Sequence, residues 1–71
     1  MPKLYSSDHI LKVLLAHGFI FVSQKGSHAK FRKSVAGKTL TAIVPAAKKE
    51  IPIGTFYSIV KQSNLAKADF E

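Results

Sequence analysis

Gln24 to Arg32, which reads Gln-Lys-Gly-Ser-His-Ala-Lys-Phe-Arg, is the stretch of this chain whose residue types and spacing suggest chemistry. One histidine, His28, stands among the cations Lys25, Lys30 and Arg32. Successive side chains of a strand point to opposite faces, so a strand from Ser27 to Ser34 sets His28, Lys30 and Arg32 on one side and Ala29 and Phe31 on the other. The first side is positive and hydrogen-bonding, and the second fits a core. Imidazole has an ordinary pKa of about 6.5 and can take or give a proton near neutral pH. Beside fixed positive charge it suits a site that binds phosphate and moves a proton.

The elements that must hold this stretch follow from the pattern on either side of it. Ser6 or Ser7 can cap a first helix with Asp8 in its first turn, and Ile10, Leu11, Leu14 and Leu15 recur at helical spacing. His17-Gly18 ends that helix, because glycine accepts the left-handed position after the last turn. Phe19 to Ser23 is β-branched and aromatic, which predicts a strand, and its lack of charge predicts a central place in the sheet. Gln24-Lys25-Gly26 makes the turn, Val35-Ala36-Gly37-Lys38 a second hairpin, and Thr39 to Val44 a third strand that Pro45 stops. A second helix starts near Gly54 or Thr55, buries Phe56, Ile59 and Val60, and stops at Asn64.

Helix, three strands and helix read as an α+β fold in α-β-β-β-α order: a three-stranded antiparallel sheet with both helices on one face, the layout of the double-stranded RNA-binding domain. A single domain over 1–71 is expected, with its core at about 6–65 and a flexible tail at 66–71.

Composition narrows the partner. The net charge is +7, from eleven Lys and Arg against four acids, and no acid lies between Asp8 and Glu50. Eight cations fall in that gap: Lys12, Lys25, Lys30, Arg32, Lys33, Lys38, Lys48 and Lys49. A polyanion is the natural partner, nucleic acid first, with a merely solvated basic surface as the plainer alternative. There is no cysteine, hence no thiolate or disulfide chemistry. No apolar run approaches the roughly 20 residues of a membrane span, and Met1-Pro2-Lys3-Leu4-Tyr5 lacks the apolar region of a signal peptide, so a cytoplasmic protein is expected.

Four blocks carry a family resemblance: Gly18-Phe19, Gln24-Lys25-Gly26-Ser27-His28, Val44-Pro45, and Gly54-Thr55 with Ser58-Ile59. In this order, across about residues 8 to 65, they closely resemble the HicA toxins, small mRNA-cleaving partners of HicB antitoxins. The resemblance implies the double-stranded RNA-binding type of fold, endoribonuclease activity on mRNA, His28 as the catalytic histidine, and neutralisation by a HicB-type antitoxin. Many members carry a second histidine shortly after the Val-Pro. This chain has Pro45-Ala46-Ala47-Lys48 there, so that residue's role is not carried over, and Lys48 or Lys49 are the candidate phosphate contacts in its place.

RNA supplies its own nucleophile, the 2′-hydroxyl, so cleavage needs no metal or cofactor once a base takes that proton and cations stabilise the phosphorane. His28 is the candidate general base or acid. Lys25, Lys30 and Arg32 are the candidate charge stabilisers, with help from the backbone at Gly26 and Ser27. Other chemistries fit poorly: no carboxylate pair suits two metals, and His9, His17 and His28 lack zinc-ligand spacing. The competing readings are a non-catalytic binder of structured RNA and a module that recognises an acidic protein. Among the bland assignments, His9 is expected exposed, His17 at a helix end, and Phe19, Phe21, Phe31 and Phe56 in the core. Lys33 and Lys38 are expected to be solvated hairpin charges. Ser27 either orients RNA or only starts the strand, and Tyr57 lies off the apolar stripe, free to touch RNA or a partner.

Overall fold

The computed structural model describes residues 4–71, in the order α1 (Ser7–Ala16), β1 (Ile20–Lys25), β2 (His28–Val35), β3 (Lys38–Pro45), α2 (Ile53–Ser63) and a 3₁₀ helix (Lys67–Phe70). Helix α1 is capped by Ser6, whose hydroxyl accepts the His9 N–H, and Asp8 meets the positive end of the helix dipole. Gly18 follows its C-cap with φ of +93°, where a β-carbon would be strained. Helix α2 ends as anticipated on a left-handed Asn64.

The sheet is antiparallel in the order β1-β2-β3. The expectation that the uncharged first strand is central is therefore corrected: β1 lies at an edge, and the most cationic strand lies in the middle. Chain connection decides this. Two-residue turns at Gly26-Ser27 and Ala36-Gly37 join neighbours directly and leave β2 between its sequence neighbours. A central antiparallel strand needs only one apolar face, and β2 supplies it with Ala29 and Phe31.

Ala29 and Phe31 of β2 and Ala42 and Val44 of β3 form one buried face, covered by Ile10 and Leu14 of α1 and by Phe56 and Ile59 of α2. Both helices thus lie on the same side, in the α-β-β-β-α arrangement expected. Helix α2 also reaches the rim of the sheet, where the Gln62 side-chain oxygen accepts the Ile43 N–H at 3.0 Å. That contact covers part of the outer edge of β3. In β1 the register steps from Phe21↔Phe31 to Ser23↔Lys30, so Val22 is the extra residue of a β-bulge.

The C-terminus departs from expectation. Residues 66–71 are not a loose tail: Phe70 is fully buried, with its ring edge against Phe56 at 5.4 Å. The Asp69 carboxylate accepts the Ala66 N–H and closes the turn. His9, expected at the surface, is half-buried; its ring stacks on Tyr5 and its Nε2 is hydrogen-bonded to the Phe70 carbonyl. Lys33 is half-buried too, its ammonium over the Phe19 ring. Phe19, Phe31 and Phe56 are core residues, whereas Phe21 is 54% exposed. No described helix is long and apolar enough to cross a membrane.

Burial of this kind fixes a prediction. Phe70→Ala should cost about 3 kcal/mol or more in urea unfolding, as truncation of a packed phenylalanine does. A change within about 0.5 kcal/mol, the range of an ordinary surface substitution, would mean that the C-terminal turn is not docked.

Candidate functional site

His28 is the first residue of β2, directly opposite Lys25 of β1 and Pro45 of β3. Cross-strand partners share a face of the sheet, and this face is the one without helices. The imidazole is exposed, as are Lys25, Gly26 and Ser27. Gly26 has φ of +60° and nothing near its missing β-carbon, so glycine answers the conformation of the turn and not a lack of space. Gln24 braces the turn through a side-chain N–H donated to the Gly26 carbonyl.

The β-bulge decides where Lys25 points. Strict alternation from Phe21, which faces the helices, would turn Lys25 to the helix side as well. The extra residue at Val22 shifts the phase by one, so that Ser23 and Lys25 join the open face while Gln24 turns inward. That phase shift brings an ammonium opposite the imidazole, and nothing in the apolar run Phe19 to Ser23 announces it.

Lys30 and Arg32 share the His28 face as expected, since Lys30 pairs with Ser23 and Ile43, and Arg32 with Ile20 and Thr41. Their distances along the strand differ. At about 3.3 Å per residue, Lys30 lies roughly 7 Å from His28 and Arg32 roughly 13 Å. Lys30 is within reach of a group bound at His28, and Arg32 suits a neighbouring phosphate.

Beside His28 opens a groove of about 460 Å³. Ile43 and Pro45 line its sheet side, Ser27 and Lys48 its end, and Pro52, Thr55, Ser58 and Gln62 form a wall along α2. Thr55 and Ser58 stand in one of the family-resembling blocks but were not singled out as groove residues, and Gln62 was not singled out at all. Their i, i+3, i+7 spacing is the same helical period on the polar side, and it was the signal to find them. The Ser58 hydroxyl donates back to the Gly54 carbonyl at 3.2 Å. Of the two lysines proposed for the loop, Lys48 lines the groove and Lys49 does not.

The loop that carries Lys48 is held from the far end of the chain. The buried Ser7 hydroxyl donates to the Pro45 carbonyl at 2.5 Å and accepts the Lys48 N–H at 2.9 Å, while the Ser7 N–H donates to the Lys48 carbonyl at 2.9 Å. Next to this clamp the Ile51 N–H donates to the Tyr5 carbonyl at 2.8 Å. The Ala46 N–H donates to the Ser27 carbonyl at 2.6 Å, tying the same bend to the residue before His28. Inside the clamp Ala47 has φ of +57°, a conformation that disfavours any residue with a β-carbon by about 1–2 kcal/mol. Ser7 thus offsets local strain and sets the position of Lys48. Ala46 and Ala47 bring no titratable group to the groove.

Fold and site together define a small basic α+β protein with a cationic, histidine-bearing sheet face beside a polar-walled groove. The family described as HicA toxin of bacterial toxin-antitoxin matches residues 7–65, most of the chain, and the protein belongs to this family. Members are toxins that pair with an antitoxin. No curated protein matches the chain.

Ser7→Ala should destabilise the protein by about 1–3 kcal/mol, because it strips partners from the Lys48 N–H and the Pro45 carbonyl. Amide exchange at Lys48 should quicken in the same variant. Adding Ala47→Gly should recover part of the loss by relieving the left-handed strain. Unchanged Lys48 exchange in Ser7→Ala would show that the clamp does not hold the loop.

Proposed function

We propose that this toxin is a metal-independent endoribonuclease that cleaves mRNA in the cytoplasm with His28 as its single catalytic histidine, and that a HicB-type antitoxin neutralises it. The observation that carries this reading is the exposed imidazole on the open sheet face, with Lys25 directly across from it and Lys48 in the adjoining groove. An exposed histidine on a small basic protein has many innocent explanations. A histidine at the mouth of a groove with cations on two sides has the parts that phosphodiester cleavage needs.

In this mechanism RNA lies along the open face, its phosphates drawn to Lys25, Lys30 and Arg32. His28 takes the proton from a 2′-hydroxyl. The freed oxygen attacks the adjacent phosphorus, and the bond from phosphorus to the 5′ oxygen breaks. A 2′,3′-cyclic phosphate remains on one fragment, and the leaving 5′ oxygen collects a proton from solvent. The trigonal-bipyramidal phosphorane gathers negative charge, which Lys25 and Lys48 are placed to stabilise. Thr55 and Ser58 offer hydroxyls to the sugar and phosphate of the nucleotide in the groove. A row of ammonium and guanidinium groups is a poor seat for a divalent cation, which argues for proton transfer over metal-assisted chemistry.

His28→Ala should lower the cleavage rate of a synthetic single-stranded RNA about 10²–10⁴-fold, the usual worth of a general acid–base group. Its melting temperature and its RNA affinity should hold, and EDTA should leave the wild-type rate unaltered. Undiminished cleavage by His28→Ala would falsify the assignment; a wild-type protein that binds RNA without cutting it would favour a plain RNA-binding role. Replacing Lys25, Lys30 or Arg32 singly with alanine should weaken RNA binding. Each should flatten the plot of log affinity against log salt by roughly 0.7, the share of one released counterion on a single strand. Equal slopes for wild type and all three variants would place the RNA elsewhere.

A further inference from the structure

Six large hydrophobic side chains are exposed among the described residues, and four of them, Leu15, Ile20, Phe21 and Val22, belong to β1 or to the adjoining end of α1. Phe21 faces the helix side and touches Phe31 edge-on, yet it is 54% exposed because the helix layer stops short of β1. An apolar gap of about 130 Å³ is left there, with Leu11, Phe21, Phe31 and Val44 among its walls. Leu15 lies one turn beyond Leu11 on the same side of α1 and extends the apolar surface. On the other face of β1, Ile20 is 62% exposed and stands opposite Arg32.

The two sheet edges are treated differently. At β3 the Ile43 N–H is met by Gln62, whereas β1 ends the sheet with no strand beyond it among the described residues. A bare edge strand invites pairing with another chain. The charges beside this edge are Lys25 on β1 and Lys30 and Arg32 across from it, with Lys33 over Phe19 nearby and Asp8 the one acid at the gap.

We propose that β1 is the docking edge for the antitoxin with which this toxin is paired, and that the occupant is an extended segment of that protein in which acidic and apolar residues alternate. A strand laid along β1 points its side chains alternately to the two faces. One set meets the apolar gap and Leu15. The other meets the open-face row that contains Lys25 and Arg32. The bulge at Val22 kinks the edge and discourages indiscriminate pairing, so selectivity falls to those side chains. A second copy of this chain fits badly, since each copy carries a charge of +7 and would bring like charges together. The inference rests on membership of a family of paired toxins and stands whether or not His28 cleaves RNA.

The probe is a capped synthetic peptide in which glutamate and leucine alternate, compared with one of equal composition whose glutamates and leucines form two blocks. Titration of the isotope-labelled protein should show the alternating peptide binding more tightly, with the amides of Ile20–Lys25 shifted and slowed in exchange. Phe21→Lys and Leu15→Lys should each weaken this binding about tenfold while adding positive charge, which separates the apolar seat from simple attraction. Leu15→Lys carries the test if Phe21→Lys does not fold. Equal binding of the two peptides, shifts confined to β2 and β3, or undiminished affinity in Leu15→Lys would overturn the proposal. So would a loss of RNA affinity in these variants with peptide binding intact, because the surface would then belong to RNA.

Discussion

Ala29 and Phe31 are held in the core between the sheet and the two helices, and alternate residues of a strand face opposite ways. Their burial therefore compels His28, Lys30 and Arg32 outward. The arrangement needs no polar network to aim the imidazole; the aim follows from the pleat of a strand whose inner half is anchored. What remains adjustable is the neighbourhood of His28, and three local devices set it. The bulge in β1 turns Lys25 to the same face, the clamp from Ser7 fixes the loop of Lys48, and the polar side of α2 closes the groove.

This economy suits a chain of 71 residues, which has little interior to spend on positioning. The aromatic cluster of Tyr5, Phe56 and Phe70 ties the two ends of the protein together beneath the sheet. His9 belongs to that cluster, stacked on Tyr5 and bonded to the Phe70 carbonyl. It illustrates the difference between the two histidines: one is satisfied within the packing, and the other is left facing solvent among cations. The concentration of cations on the open face is unfavourable for the isolated fold through self-repulsion, which a polyanion bound there would relieve.

Much of the fold was legible in the residues because its signals are local. Ser6, Gly18, Gly26, Gly37 and Asn64 each mark a boundary through a conformation or a hydrogen bond that the residue type dictates. The shared face of His28, Lys30 and Arg32 was legible for the same reason. What the sequence hid depends on contacts between distant segments. The edge position of β1 follows from connectivity and not from its apolar character, and Val22 looks like any other strand residue until its partners are known. The docking of Phe70 depends on a space that Phe56 and His9 leave, and a terminal Asp-Phe-Glu gives no hint of it. Thr55 and Ser58 were visible as residues but not as a wall, because the groove exists only once α2 lies against β3.

The partnership of Ser7 with Pro45 and Lys48 joins positions 38 and 41 residues apart. Contacts so distant along the chain close a long loop, and the entropy of that closure is offset only when both segments are in place. The surface of β2 rests on its sequence neighbours β1 and β3, whereas the bend that completes it rests on the start of α1. A partly folded chain, or one whose first helix has come loose, shows the histidine without its finished surroundings. Competence is in this sense a property of the closed chain, drawing on its beginning as much as on its centre.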